Sequence, residues 1–316
     1  MLDTVDLRRL QVLRMVDEYG TVTAAAAAMH LTPSAISHQL RQLSREVGVA
    51  LLERDGRGVK LTAAGHRLVA HADALHTRWE QAKADLTAEA EGSAGRLRLC
   101  GFATAVAEVL APTAERLAVS DPRLELQIRE VEETADGFNL LLAGEVDIAL
   151  AASATQNPPL TDPRFDQQPL LAEPLDLVVP ADHPVAGQES VLLSAVAHEP
   201  WIVSAPGSWD CYGLVASACA AAGFTPRVVH EVKSPVAEGA LVARGLGVTL
   251  LPRLSALACS DVVRVPLKGD PPPQRHILTC VRRGSDRQPG IARGLEVLRE
   301  IADQVCPPPR GGAGSG

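Results

Sequence analysis

The sequence predicts a chain of α/β class overall, built as a small helical unit, one long helix and a larger α/β unit. Three observations predict it. Residues 7–47 carry apolar side chains at helical spacing in three short runs. Residues 63–90 keep one helical pattern without a break. From residue 96 onward short apolar strands alternate with helical stretches, the signature of parallel sheets covered by helices on both faces. At 316 residues the chain is also long for a single core, so two or three units are expected.

Composition bounds the class. Apolar residues make up 46% of the chain but aromatics only 3%, so the cores must be built from Ala, Val and Leu. Charges interrupt every apolar run short of the roughly 18 residues a membrane span needs, so no span is expected. The opening "MLDTVDLRRL" lacks the basic-then-apolar order of a secretion signal. The six cysteines (100, 211, 219, 259, 280 and 306) show no C-x-x-C and no metal-ligand spacing, which suits reduced thiols in a cytoplasm. No cofactor and no metal are expected. Residues 1–70 hold nine Lys and Arg against seven Asp and Glu, a net +2, while the remainder carries −10. A polyanion, if bound, is met at the amino-terminal end.

The amino-terminal elements follow in order. Leu7, Leu10, Leu13 and Val16 recur at three-residue steps and open a first helix, which Gly20 stops. Thr23 is the expected cap of the second helix, "AAAAAM", whose small side chains let another helix approach closely. Thr32 caps a third, with Pro33 at the first helical position, where its missing N–H costs nothing. That helix runs to about Val47 and stops at Gly48. Its sequence places Ser34, Ser37, His38 and Arg41 on one side and Ile36, Leu40 and Leu43 on the other. Two helices joined by a short turn, the second with an outward polar stripe, describe a helix-turn-helix.

That stripe suits a DNA groove. A recognition helix inserts its amino-terminal half into the roughly 12 Å major groove, which requires short side chains there. Ser34 and Ser37 reach base edges or phosphates without holding the backbone away, and Arg41 can donate two hydrogen bonds to guanine or a phosphate. Next, "LLERDGRGVKLT" reads as two short strands around Asp55-Gly56-Arg57-Gly58, with Arg54, Arg57 and Lys60 near the turn. A basic hairpin beside a helix-turn-helix is a wing suited to the flanking backbone or minor groove.

The long helix carries Leu68, Ala72, Leu75, Trp79, Ala82 and Leu86 at alternating steps of four and three, a heptad seam about 42 Å long over residues 63–90. Its other faces are polar, so the seam must pack on a partner, most simply the same helix of a second subunit. His66, His71 and His76 are five apart, which does not align two metal ligands on a helix.

In the larger unit, "RLRLCGF", "LELQIREV", "VDIALAA", "LDLVVP", "WIVSA", "PRVVHEV" and "VTLLP" read as strands, with helices between them. There is no G-x-S-x-G, H-E-x-x-H or G-x-x-x-x-G-K-[ST], so nothing in the motifs argues for an enzyme. Gly245 and Gly247 join a helix to a strand, the reverse of a dinucleotide fingerprint.

The run from "LRRLQVLRMVDEYG" through "LLERDGRGVKLTAAG" resembles the winged helix-turn-helix of LysR-type transcriptional regulators. "LLAGEVDIAL", "EPLDLVVPADHPVA" and "LVARGLGVTLLP" resemble landmarks of that family's effector domain. Two positions depart from the commonest pattern: His38 where a longer cation is frequent, and Leu52 where Phe is frequent. The resemblance implies a DNA-binding domain (1–62), a dimerisation helix (63–91), a two-lobed, periplasmic-binding-protein-like effector domain (92–306) and a flexible tail (307–316). Lobe I would take about 96–165 and 268–305, and lobe II about 166–267, with a small-molecule effector between them. By resemblance the DNA contacts come from Thr32, Pro33, Ser34, Ser37, His38, Arg41, Arg54, Arg57 and Lys60. Effector contacts come from Thr104, Ser153, Ser204, Ser208 and Gly247, with His230 and Glu231 near the same cleft. Thr104 and Ser208 stand at expected helix starts, whose N–H groups favour an anionic ligand, although each hydroxyl also suits a plain helix cap.

The expected function is a sequence-specific, double-stranded-DNA-binding regulator, homodimeric or tetrameric, switched by a small molecule. One alternative is a thiol-based sensor, because a peroxide-sensing branch of the family carries two cysteines near Cys211 and Cys219. Eight residues apart on one helix they lie about 12 Å apart, beyond the roughly 7 Å a disulfide spans, so buried thiols are the favoured reading. The other alternative is a small-molecule binder with no transcriptional role, for which a winged helix-turn-helix has no use.

Overall fold

A computed structural model describes residues 6–29, 31–55, 58–88, 95–153, 157–205, 211–257, 259–269 and 271–307. The candidate residues Arg57 and Ser208, and the tail from 308 on, lie outside the described residues. Helices α1 (Leu7–Tyr19), α2 (Val22–Ala28) and α3 (Pro33–Val47) form the amino-terminal unit. Gly20 and Gly48 end α1 and α3 at positive φ, where a glycine carries no Cβ penalty. Thr32 accepts from the Ala35 N–H with Pro33 in the first turn. The cap of α2 differs from expectation: Thr21, not Thr23, accepts from the Ala24 N–H, because the helix begins at Val22 directly after the Gly20 turn. Leu10, Leu13, Val16, Ala25, Ile36, Leu40 and Leu43 meet in one core. Strands β1 (Leu52–Asp55) and β2 (Gly58–Leu61) then pair antiparallel.

Helix α4 (Ala63–Ala88) follows. Thr62 Oγ1 accepts from the Gly65 N–H and donates to the Ala50 carbonyl, fixing its first turn to the wing. Val69 and Ala72 are buried against the same core as α1, and Arg14 donates to Asp73 at 2.5 Å.

The carboxy-terminal unit begins with β3 (Arg96–Gly101) and a helical stretch: α5 (Ala103–Ala105), a π turn (Val106–Leu110) and α6 (Ala111–Ser120). It continues through β4 (Glu125–Glu130), α7 (Thr134–Ala143), β5 (Ile148–Ala152) and the long β6 (Phe165–Pro180). Beyond lie β7 (Pro200–Ser204), α8 (Cys211–Ala221), β8 (Arg227–Val232), α9 (Pro235–Val242), β9 (Thr249–Pro252), β10 (Val262–Pro266), β11 (Gln274–Arg282) and α10 (Pro289–Val305). The sheets are mixed, not wholly parallel as the alternation suggested. β3 pairs parallel with β4 and β5, and β7 with β8, but β6 runs antiparallel to β9, β10 and β11. The reason is topological: β6 leaves the first lobe and β11 returns to it, so the two crossovers run in opposite senses. Residues 165–174 of β6 pair with β11, and 175–180 with β9 and β10. One lobe is cored by Leu97, Leu99, Leu117, Ile148 and Leu298, the other by Leu177, Trp201, Cys219 and Leu250.

The two halves of the chain are in contact. Gln11 of α1 donates to the Leu142 carbonyl at the end of α7, and Glu18 pairs with Arg164. On α4 the buried Glu80 carboxylate pairs with Lys83 at 2.5 Å, accepts from Gln288 at 2.8 Å and lies 3.7 Å from Arg282. Arg282 continues to Asp147 at 3.1 Å, which also accepts from Arg98. Burial alone would raise the Glu80 pKa, but Arg282, Lys83 and His76 outweigh it and hold the carboxyl below its ordinary range. Burial, reinforced by Arg14, Arg282 and Lys83 against the opposing pull of Glu80, pushes His76 down to about 4.

The His76 shift has a sign. Its folded pKa lies below the ordinary 6.5, so the unfolded chain takes the proton first as pH falls. The stabilisation is whole above pH 6.5 and drains away toward pH 4. Denaturant midpoints measured between about pH 6.5 and 5, above the carboxylate range, should therefore fall with pH. In His76→Gln that part of the slope should vanish; an unchanged slope would show that His76 does not titrate differently on folding.

Candidate nucleic-acid interface and interlobe cavity

The core decides which face of α3 is left outside. Ile36, Leu40 and Leu43 are buried, while Thr32, Pro33, Ser34, His38 and Arg41 are exposed and Ser37 is half-buried. Ser34 Oγ lies 3.0 Å from Thr32 Oγ1, so the cap and the first outward serine share a hydrogen bond at the tip of the helix. On the wing, Arg54 and Lys60 are exposed, with Lys60 3.6 Å from Glu53. Small hydroxyls at the tip, a cation one turn on and further cations beside it suit a polyanionic groove.

The seam of α4 divides. Ala72 is buried by the chain's own α1, and Leu68 and Ala82 are half-buried. Leu75 and Trp79 are each 49% exposed and Leu86 68%, which leaves an apolar stripe on the outer part of the helix. Large apolar side chains aligned on one helix face mark a surface for a partner.

Between the lobes lies a cavity of about 530 Å³, within the usual range for small-molecule sites. Phe102 and, from the helix after it, Ala103, Thr104 and Ala107 line it on one side, with Val131 from beyond β4; Pro235, Val236 and Ala256 come from the other lobe, and Leu254 follows β9 but packs against the first lobe's core. Glu108, Glu130, Glu132 and Lys233 supply its ionisable groups. Phe102 precedes the helix as a cap with no side-chain hydrogen bond, so Thr104 is not that helix's cap; it is buried in the cavity wall.

The other candidates lie elsewhere. Ser153, Ser204, His230, Glu231 and Gly247 are not among the described residues lining this cavity. Ser153 is exposed after β5, with its N–H on the His276 carbonyl. His230 and Glu231 sit on β8, half-buried and exposed. Gly247, at φ +153°, packs where a Cβ would come within 2.6 Å of the Pro200 carbonyl oxygen, so its side-chain-free backbone serves the approach to β7. Ser204 Oγ is buried and donates to Glu238 Oε1 at 2.7 Å, while Thr249 Oγ1 donates to Oε2 at the same distance. Burial raises the Glu238 carboxyl, and the two hydroxyls offset that only in part. The sequence reading passed over Glu238 and the cavity glutamates, because no spacing marks residues that meet only after the lobes form.

Cys211 and Cys219 both belong to α8, and burial pushes the Cys219 thiol up to about 11. Among the described residues no cluster of His, Cys, Asp or Glu is arranged to hold a metal, and no helix is long and apolar enough to cross a membrane.

The profile described as "LysR substrate binding domain" matches residues 90–303, and that described as "Bacterial regulatory helix-turn-helix protein, lysR family" matches residues 7–66. The chain is 30% identical over 249 residues to the HTH-type transcriptional regulator AlsR of Bacillus subtilis (strain 168), covering 78% of this chain and 80% of that one. It is 32% identical over 301 residues to a probable hydrogen peroxide-inducible genes activator of Streptomyces viridosporus, covering 93% of each. A full-length OxyR variant from Pseudomonas aeruginosa superposes with a TM-score of 0.65 at 25% identity, over 96% of this chain and 97% of that one.

The Glu238 arrangement makes a prediction. Ser204→Ala removes one of two donors from a buried carboxyl and should cost about 1–3 kcal/mol of stability. Urea denaturation of the variant checks it; a loss below about 0.5 kcal/mol would mean the hydroxyl is not needed there.

Proposed function

The chain belongs to the LysR family of bacterial transcriptional regulators, and from that premise we propose how its surfaces divide the work. It is a DNA-binding regulator with an effector-binding domain, in a family of regulators rather than enzymes. Residues 1–62 bind DNA, 63–91 join two subunits, and 92–306 take the effector between lobes whose boundary falls along β6 and β11. Ser34, Ser37, His38 and Arg41 enter the major groove, Thr32 and Pro33 set the angle of entry, and Arg54, Arg57 and Lys60 hold the flanking backbone. The observation that carries this reading is the outward face of α3. Its apolar side is locked into the core, so the serines and Arg41 have no inward role.

Homodimerisation through Leu75, Trp79 and Leu86 sets two recognition helices at a fixed separation, as a twofold-related DNA site requires. A further pairing gives a tetramer, and its DNA target locates the protein in the cytoplasm. The effector is a small molecule with an apolar body. An anionic group would meet Lys233 and the helix start at Ala103, and a donor group would meet Glu108, Glu130 or Glu132. It shifts regulation by binding one lobe arrangement better than the other. The likeness to a peroxide-inducible activator is not carried over to this chain, because Cys211 and Cys219, eight residues apart on α8, pair only if that helix unwinds.

A gel-shift assay with the DNA upstream of the protein's own gene tests the reading. Specific binding should weaken steeply with salt. Arg41→Ala should lose about 1–3 kcal/mol of binding free energy and relax base preference at one position; unchanged affinity and preference would remove Arg41 from the interface. Trp79→Asp should shift the protein toward monomer in sedimentation velocity and weaken binding to a two-half-site DNA more than to a single half-site. A variant that stays dimeric would place the subunit contact off this seam.

A further inference from the structure

Beneath the interlobe cavity the two crossover strands share one ion pair. Glu173 on β6 and Arg275 on β11 are directly opposed in register. They are 0% and 2% exposed. Arg275 Nε donates to Glu173 Oε1 at 2.7 Å, and Nη2 lies 2.5 Å from the same oxygen. The other oxygen, Oε2, accepts from the backbone N–H of Leu254 at 3.0 Å. The guanidinium also lies over the Phe102 ring, 4.7 Å from its centroid. Phe102 and Leu254 both line the cavity, and Leu254, which arrives from β9 of the second lobe, packs against the first-lobe core that holds Phe102.

The location is the hinge itself. Pro174 is the last β6 residue paired with β11, and from Leu175 the strand pairs with β9 instead. Just past the change, Asp176 accepts from Arg253 at 2.7 Å, so each side of the crossover has its own pair. Stability does not account for Arg275 and Glu173. Burying two charges is costly, and apolar side chains of similar volume often serve as well or better. What an apolar pair lacks is direction, because hydrophobic contact is indifferent to angle whereas charge-assisted hydrogen bonds are not.

We infer that Arg275 and Glu173 are positioning residues of the interlobe cavity. They set the separation of Phe102 and Leu254, and with it the resting angle of the lobes. The inference rests on the cavity being the effector site, since it states what that site's walls are fixed to. Any change of lobe angle that shifts β9 against β6 therefore works through Leu254 against this pair.

The test needs no ligand. Ala107→Cys and Val236→Cys place thiols on opposite walls of the cavity, and the rate of disulfide formation under copper-phenanthroline reports how often the lobes approach. Single-cysteine controls account for linkage through native thiols. In the full-length protein, the double change Glu173→Met with Arg275→Met removes both charges together and should alter that rate at least fivefold, while the melting temperature stays within a few degrees. Arg275→Lys keeps the charge but loses the planar fork and the flat face over Phe102, and should alter the rate at least threefold; it decides alone if the double variant fails to fold. Rates within twofold of the parent overturn the inference. A cavity that takes up no ligand would sink the effector reading and leave this result standing, so the two failures are distinguishable.

Discussion

Glu80 sits on the long helix with almost no exposed surface, yet it carries a charge. A carboxylate in that position is tolerable only if cations and donors surround it, and Lys83, Gln288 and Arg282 do so. Because Lys83 is on the same helix while Gln288 and Arg282 come from the effector half, satisfying Glu80 ties the halves together. Arg282 hands the constraint on to Asp147, and Arg98 completes the chain into β3. The position of the DNA-binding unit relative to the first lobe is thus set by a run of ion pairs and charge-assisted hydrogen bonds, reinforced where α1 meets α7.

That docking has a consequence for α4. One side of the helix is consumed inside the subunit, through Val69, Ala72 and Glu80. The adjoining side keeps Leu75, Trp79 and Leu86 open to a second copy. A single helix therefore carries an internal contact on one side and an exposed apolar stripe on the other, and under the proposed function a change in the lobes has a short mechanical path to that stripe. Whatever the route, a ligand can deliver to the DNA-binding unit no more than its differential affinity for two arrangements.

The lobes meet through continuous backbone rather than a flexible tether. β6 changes partner from β11 to β9 between Pro174 and Leu175, and buried carboxylates stand on either side of that point. Three of the described thiols are set apart from solvent. Cys100, Cys219 and Cys280 are buried, burial raises each thiol well above its ordinary pKa, and reactivity needs the thiolate.

Local chemistry was legible in the sequence. The glycine stops at Gly20 and Gly48, the Thr32 cap with Pro33 behind it, the wing hairpin and the split of α3 into a buried and an outward face all depend on residues within one or two turns of each other. One local error, Thr23 for Thr21, arose because both residues satisfy a cap and only the path of the chain out of Gly20 selects between them. The parallel sheet predicted from alternation became mixed because strand direction depends on how the chain crosses between lobes, which alternation does not encode. Ser204 illustrates the rest: its hydroxyl is committed to Glu238, 34 residues away, and its role changes from ligand contact to core partner. Arg275 finds Glu173 across 102 residues, and Glu80 finds Gln288 across 208. The sequence by itself determined the local features of the amino-terminal unit: its three helices, their glycine stops and the outward face of α3. Tertiary structure alone decided which distant charges neutralise one another, because that pairing is fixed by strand order and lobe packing and leaves no periodic trace along the chain.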